Sequence, residues 1–205
     1  MITIGVTGGV GAGKSAILSY IKEHYRAVVY PSDEVAKSLE RKGEACYAPI
    51  VSVLGEDILD ENGEIIKAKM AQKIFSSPDL LEKVNGILHP AVKDFFLAEI
   101  ERLRKEDSVD LFIIEAALLI EEQYDKILDE LWYIYASVKT RSDRLRESRG
   151  YSDEKIQSIM KSQLPEETFR KACKVTIENE GDLIKTYAQI DNALQNRGVR
   201  YATGK

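Results

Sequence analysis

Gly8, Gly13, Lys14 and Ser15 stand at the spacing G-x-x-x-x-G-K-[ST], inside the opening stretch Met1-Ile-Thr-Ile-Gly-Val-Thr-Gly-Gly-Val-Gly-Ala-Gly-Lys-Ser15. Each residue type there has a chemical reason. Glycines let backbone N–H groups close on phosphate oxygens because no Cβ blocks the approach. A helix start adds the positive end of its dipole, Lys14 a mobile cation, and Ser15 a hydroxyl for Mg²⁺. Gly8, Gly9, Val10, Gly11, Ala12 and Gly13 therefore form a candidate cradle for a β-phosphate, with Lys14 bridging to a γ-phosphate. A glycine turn that binds nothing has no need of a lysine and a serine at these offsets behind an apolar strand. The stretch implies a nucleoside triphosphate site.

Further along, two acids and an arginine run could complete such a site. Asp33 follows a short apolar run, Arg26-Ala-Val-Val-Tyr30, and Pro31. An acid at the carboxyl end of a strand lies where doubly wound sheets collect ligands. The plain alternative is that Ser32 or Asp33 caps the next helix. Glu115 ends the apolar run Val109-Asp-Leu-Phe-Ile-Ile, the position from which an acid supports Mg²⁺ through Ser15 or water. Arg141, Arg144, Arg146 and Arg149 crowd into residues 139–149. Basic runs are usually solvated faces. Downstream of a phosphate loop this one reads as a lid, since guanidinium groups grip phosphate oxygens in pairs and a closed lid keeps out competing water.

The elements that must position these groups follow from hydrophobic period and turn residues. Strands are expected at 2–6, 26–30, 109–115, 131–136 and 174–177, with a helix behind Ser15 and another at 34–42 stopped by Gly43. Residues 44–105 read as almost wholly helical: segments 48–54, 67–75, 78–88 and 90–104, with a turn at Asn62-Gly63. That is too long for one crossover, so a helical insertion covering one side of the cleft is expected. Lys67 and Lys69 are expected to be solvated. His89, between Leu88 and Pro90, is expected to be structural, and His24 to offset a helix dipole. Helices at 154–163 and 166–172 precede a closing amphipathic helix at 181–196, with Leu183, Ile184, Tyr187, Ile190 and Leu194 on its apolar face. The tail 197–205 is expected to fray.

Bulk composition narrows the class. A chain of 205 residues, 44% hydrophobic and 31% charged, suits one α/β domain with insertions. A net charge of −5 argues against a general nucleic-acid surface, but not against an anionic ligand in a cleft. No apolar run approaches the roughly 18 residues of a membrane span, and no basic, apolar leader is visible. Cys46 and Cys173 form no metal-type pair and are expected to be packed thiols. A cytoplasmic protein is expected.

With these residues placed, the chain resembles the dephospho-coenzyme A kinase family from end to end. The opening Ile-Gly-Val-Thr-Gly-Gly-Val-Gly-Ala-Gly-Lys-Ser is close to the family's, although Ala16 stands where the family has Thr. The family's Asp-Ala-Asp appears as Pro31-Ser32-Asp33, keeping only the second acid, which resembles the catalytic base. Leu88-His89-Pro90 matches the insertion signature, and Glu115-Ala-Ala-Leu-Leu-Ile-Glu121 matches a stretch whose proline is lost here. Gln163 fits the lid region, and Ile177-Glu-Asn179 the segment near the adenine. Lys67 stands for a usual arginine, and Arg146 and Arg149 compete for the second lid arginine.

The resemblance implies a P-loop kinase fold: three α/β/α layers around a five-stranded parallel sheet in order 2-3-1-4-5. It implies a single domain over 1–205, with a coenzyme-binding helical insertion at about 44–105 and a lid at about 139–163. It also implies ATP-dependent phosphorylation of the ribose 3′-hydroxyl of dephospho-coenzyme A, an alcohol-group acceptor. Lys14, Asp33 and Arg144 would be catalytic. The loop from Gly8 to Ala16 with Arg144, Arg149 and Asn179 would bind ATP, and Asp33, Lys67, His89 and Leu118 the acceptor. Mg²⁺ would sit on Ser15, with Glu115 acting through water. The expected partners are ATP and dephospho-coenzyme A, with no nucleic acid and no membrane, and a monomer is expected. Three alternatives stay open: another small-molecule P-loop kinase such as a nucleotide or shikimate kinase, a GTP-dependent switch, and a catalytically silent relative. Asp60-Glu-Asn-Gly63 fits the D-x-x-G pattern of a switch, but no N/T-K-x-D guanine motif follows it.

Overall fold

The computed structural model describes residues 1–202. Strand β1 (Ile2–Thr7) pairs in parallel with β3 (Leu111–Glu115) on one side and β4 (Glu130–Tyr135) on the other. A strand flanked on both edges and covered on both faces must be apolar or internally satisfied throughout. Ile4 and Val6 are 1% exposed, and Thr3 and Thr7 are fully buried. Thr3 is satisfied by Asp129, whose carboxylate accepts from its N–H and hydroxyl at 2.8 Å each. With β2 (Ala27–Pro31) and β5 (Val175–Glu178) the sheet runs in order β2-β3-β1-β4-β5, as expected.

One face of the sheet carries α1 (Lys14–His24) and α9 (Leu183–Gln195). Ile4, Val6, Ile113, Trp132 and Ile134 from the strands pack there with Ile17, Ile21, Ile190 and Leu194. The remaining helices of this part are α6 (Val138–Arg149), α7 (Asp153–Lys161) and α8 (Glu166–Ala172). Gly150, at φ 61°, ends α6, and the Ser152 hydroxyl caps α7 by accepting from the Lys155 N–H.

The chain divides into two compact units, residues 1–29 with 103–205, and residues 30–102. The second unit holds α2 (Ser32–Leu39), α3 (Tyr47–Leu54), α4 (Lys67–Ser76) and most of α5 (Pro78–Glu106). Its core is built from Cys46, Ile50, Leu54, Ile58, Met70 and Val84. Asp60 is spent locally: its carboxylate accepts from the N–H groups of Asn62 at 2.9 Å and Glu64 at 2.8 Å. Gly63 supplies φ 77° for the same turn. The D-x-x-G match is thus a structural hairpin, in which Leu59 and Ile65 bridge.

Several expectations need correction. Residues 78–104 are one helix, not two, and it runs through His89 and Pro90. A proline inside a helix costs about 3 kcal/mol. Buried Val84, Val92, Phe96 and Ile100 keep one apolar stripe on both sides of it and offset that cost. Neither Ser32 nor Asp33 caps α2: the N-cap is Pro31, and both residues lie in the first turn. In α9 the buried ridge is Thr186, Ile190 and Leu194, while Leu183 and Ile184 are 40% and 75% exposed. Lys67 is not simply solvated, since its ammonium pairs with the buried carboxylate of Glu40, and Lys69 donates to the Asp57 carbonyl at 2.9 Å.

The tail does not fray over residues 197–202. Val199 is buried, Tyr201 bridges to Tyr25, and the hydroxyls of Tyr20, Tyr25 and Tyr201 all donate to Asp191. Residues 203–205 lie outside the described residues. His24 stacks on Tyr20 at 4.3 Å near the end of α1. Both cysteines are buried free thiols, and burial pushes Cys173 up to about 12.

Glu130 anchors the same tail. Its side chain is 2% exposed and accepts from Arg197 through both carboxylate oxygens, from Trp132 Nε1 at 2.8 Å, and from Lys174 at 3.2 Å. Burial alone would raise this carboxyl, but donation from Arg197, Trp132 and Lys174 holds it below the ordinary glutamate range. A depressed carboxyl contributes stability that is present above its unfolded pKa and lost as pH falls through the folded one. Glu130→Ala should therefore cost about 3 kcal/mol at neutral pH, because it strands Arg197. Urea unfolding at pH 7 and at pH 4 or below should show the gap between variant and parent narrowing in acid. A constant gap would remove the charge from the explanation.

Candidate active site

The phosphate loop leaves the carboxyl end of β1 and enters α1 with Gly13 as N-cap, at φ 89°. An L-residue is strained at that φ, and a Cβ there would run into the Asn179 amide. At Gly8, φ 148°, a Cβ would strike the Ile134 carbonyl. These glycines are needed for packing from behind the loop as well as for access from its front.

That backing is made by α6 and by the turn after β5. Arg141 Nε donates to the Val10 carbonyl at 3.0 Å, and its guanidinium also bonds the Gln163 side-chain oxygen. Arg144 donates to the carbonyls of Gly11 at 3.4 Å, Ala12 at 3.3 Å and Asn179 at 2.9 Å. Asn179, 1% exposed, donates to the Ala12 carbonyl at 2.8 Å and accepts from Thr186 at 3.1 Å. Glu180 ties the same turn to the start of α6, accepting from Thr140 at 2.7 Å and from the Ser137 hydroxyl and N–H. Burial opposes ionisation of Glu180, but these donors, with Arg144 nearby, hold its carboxyl below the usual range.

Lys14 lies at the front. Its ammonium donates to the Gly8 carbonyl at 3.0 Å and stands 3.4 Å from Glu115. Ser15 and Ala16 are exposed in the first turn of α1. Beyond Glu115, Leu119 is buried while Leu118 is 48% exposed.

The expected residues thus fall in two groups. Gly8 to Ala16, Glu115, Leu118, Arg144, Arg149 and Asn179 belong to the first unit, and Asp33, Lys67 and His89 to the second. Asp33 is exposed. Of the two competing arginines, Arg146 is held by Asp143 and Asp153 at 2.8 Å each, and Arg149 lies beside the Tyr151 ring at 5.9 Å. Arg141, read from the sequence only as one of the lid arginines, supports the loop together with Glu180 and Thr186, which had no assigned role. Their signal was faint, because Arg141 acts on Val10 and Glu180 on Ser137 and Thr140, all far away in sequence, and Thr186 acts only through Asn179.

A glycine loop entering a helix at the carboxyl end of the central strand, in a parallel sheet ordered 2-3-1-4-5, defines a P-loop kinase. The family model for dephospho-CoA kinase matches residues 2–185, and the chain belongs to the dephospho-CoA kinase family. It is 33% identical to a dephospho-CoA kinase of Streptococcus mutans, over 94% of this chain and 96% of that one. It is 36% identical to that of Aquifex aeolicus, over 93% and 94%. Among solved structures, TT1252 from Thermus thermophilus aligns with a TM-score of 0.79 at 25% identity, covering 95% of this chain and 97% of that one. A shikimate kinase from Bacteroides thetaiotaomicron aligns with a TM-score of 0.51 at 10% identity, over 96% and 98%; that likeness is one of fold alone.

Asn179→Ala removes a buried donor from the Ala12 carbonyl and takes from Thr186 its side-chain acceptor. A loss of about 1–3 kcal/mol is expected, read as a roughly tenfold or larger rise in Kd for ATP by calorimetry. Unchanged ATP affinity would show that the loop keeps its shape without this support.

Proposed function

We propose that this chain moves the γ-phosphoryl group of MgATP to the ribose 3′-hydroxyl of dephospho-coenzyme A, as a cytoplasmic monomer. A new bond forms between the 3′-oxygen and the γ-phosphorus, the bridging bond to the β-phosphate breaks, ADP leaves, and the hydroxyl proton passes to a base. The observation that carries this reading is Lys14. It stands at the mouth of a loop braced from behind, held among the described residues by a carbonyl and a partly exposed carboxylate. A triphosphate offers it charge-assisted bonds that are stronger than the first of these.

In this reading the loop amides from Gly8 to Ser15 hold the β-phosphate, with Ala16 just behind, and Lys14 bridges β- and γ-oxygens. Ser15 and, through water, Glu115 are hard oxygen donors of the kind Mg²⁺ accepts alongside phosphate oxygens. Bound there, Mg²⁺ neutralises charge on the β- and γ-phosphates. Arg144 faces the charge of the transferring group, with Arg149 and Asn179 on the nucleotide side. Lys67, His89 and Leu118 contact the acceptor. Asp33 accepts a hydrogen bond from the acceptor hydroxyl and takes its proton late, since phosphoryl transfer passes through a loose transition state.

The direct test is incubation with ATP and dephospho-coenzyme A, followed by mass analysis for a product heavier by one phosphate. Conversion of nucleoside monophosphates in its place would overturn the reading. Asp33→Asn should lower kcat by about 10² or more with ATP affinity near normal, and wild-type turnover would remove Asp33 from the base role. Lys14→Ala should abolish most turnover, and an unchanged kcat would count against the loop assignment.

A further inference from the structure

Arg141, like Arg144, has carbonyl and amide oxygens as its partners, and it alone of the two lines a cavity. It is half-buried, its partners are the Val10 carbonyl and the Gln163 amide, and among the described residues no carboxylate pairs with it. Burial disfavours its charge. A cation drawn out of water and given only neutral partners is an incomplete ion pair.

The same side chain lines a cavity of about 320 Å³, at the small end of the roughly 300–1,000 Å³ typical of ligand sites. The walls are of two kinds. Tyr133 and Phe169, stacked with centroids 4.7 Å apart, form an aromatic floor with Tyr135 and Met160. Arg141 and Gln163 supply the polar end, and Glu166, whose carboxylate is already held by Arg170 at 2.6 Å, also lines the cavity. A slot with an unpaired cation at one end and an apolar floor beyond it fits an anionic head carrying a flexible, largely apolar tail that bears amides.

We propose that this cavity receives the pantetheine arm of the acceptor, with Arg141 on the phosphate end of that arm. The inference rests on the acceptor being dephospho-coenzyme A, and it adds a subsite that neither the phosphate loop nor Asp33 provides. Arg141 joins the two sites physically. Its guanidinium lies against Gly9, where any Cβ would collide with it, and the same residue lines the cavity. An arm seated there pairs the buried charge.

The test uses binding, which needs no turnover. 4′-Phosphopantetheine, dephospho-coenzyme A and ADP are titrated calorimetrically into the full chain and two variants. Met160→Trp fills the cavity. Val138→Glu, at an exposed rim position, sets a like charge at its mouth and leaves the core untouched. Both variants should weaken 4′-phosphopantetheine and dephospho-coenzyme A by about tenfold, or ~1.4 kcal/mol, with ADP affinity unchanged. The proposal is overturned if the parent does not bind 4′-phosphopantetheine, if neither variant weakens it, or if ADP is lost in parallel. If the arm binds as expected but no phosphate is transferred, the proposed reaction fails and the subsite stands. If transfer proceeds and both variants bind like the parent, only the subsite fails.

Discussion

A loop that turns its N–H groups toward an anion must turn its carbonyls the other way, and those carbonyls then need donors of their own. This constraint shapes the first unit. The carbonyls of Val10, Gly11 and Ala12 are met by Arg141, Arg144 and Asn179, so the loop's shape is fixed by the protein's own donors. Those donors must in turn be fixed. Thr186 locks the Asn179 amide, Glu180 pins the turn to α6, and Gln163 steadies Arg141. Donors from two stretches of chain remote from the loop therefore converge on three peptide groups.

The sheet exists to make that convergence rigid. β1, β4 and β5 lie side by side in parallel, so their carboxyl ends deliver the loop, α6 and the Asn179 turn to the same edge. The register places Thr7 beside Tyr133 and Ile134 beside Ile177. Trp132 and Ile134 on one face of β4 pack with α1 and α9, and Tyr133 on the other stacks on Phe169 of α8. A packed core of this density does not deform gradually. The positions of Arg141 and Arg144 are thus set by burial several residues away from the loop.

Much of this was legible in the chain because its signals are local. The phosphate loop is contiguous, the strands are continuous apolar runs, and Gly150 and Ser152 mark helix ends by their own chemistry. What was not legible depended on partners remote in sequence. Pro90 reads as a break, and only the stripe from Val84 to Ile100 shows why the helix continues. Leu183 and Ile184 extend the apolar period of α9, but the sheet needs Thr186 there, because its hydroxyl serves Asn179. Residues 197–202 are held by Glu130, Asp191 and a tyrosine cluster that no window of sequence brings together.

The arginines show most clearly how identical residues divide between structure and chemistry. Arg146, Arg170 and Arg197 have carboxylate partners, at Asp143 and Asp153, at Glu166 and Glu178, and at Glu130. Their charge is already balanced. Arg141 and Arg144 instead bond carbonyls and an amide, groups that orient a guanidinium without cancelling its charge. Because charges separated by more than about 8 Å are largely screened in physiological salt, the overall −5 of the chain has little bearing at the loop. The local charges around the loop are Lys14, 3.4 Å from Glu115, and two arginines positioned by neutral dipoles. Within one helix, then, the partners divide identical residues: acids make Arg146 part of the surface, and backbone and amide oxygens orient Arg141 and Arg144 against the loop without cancelling their charge.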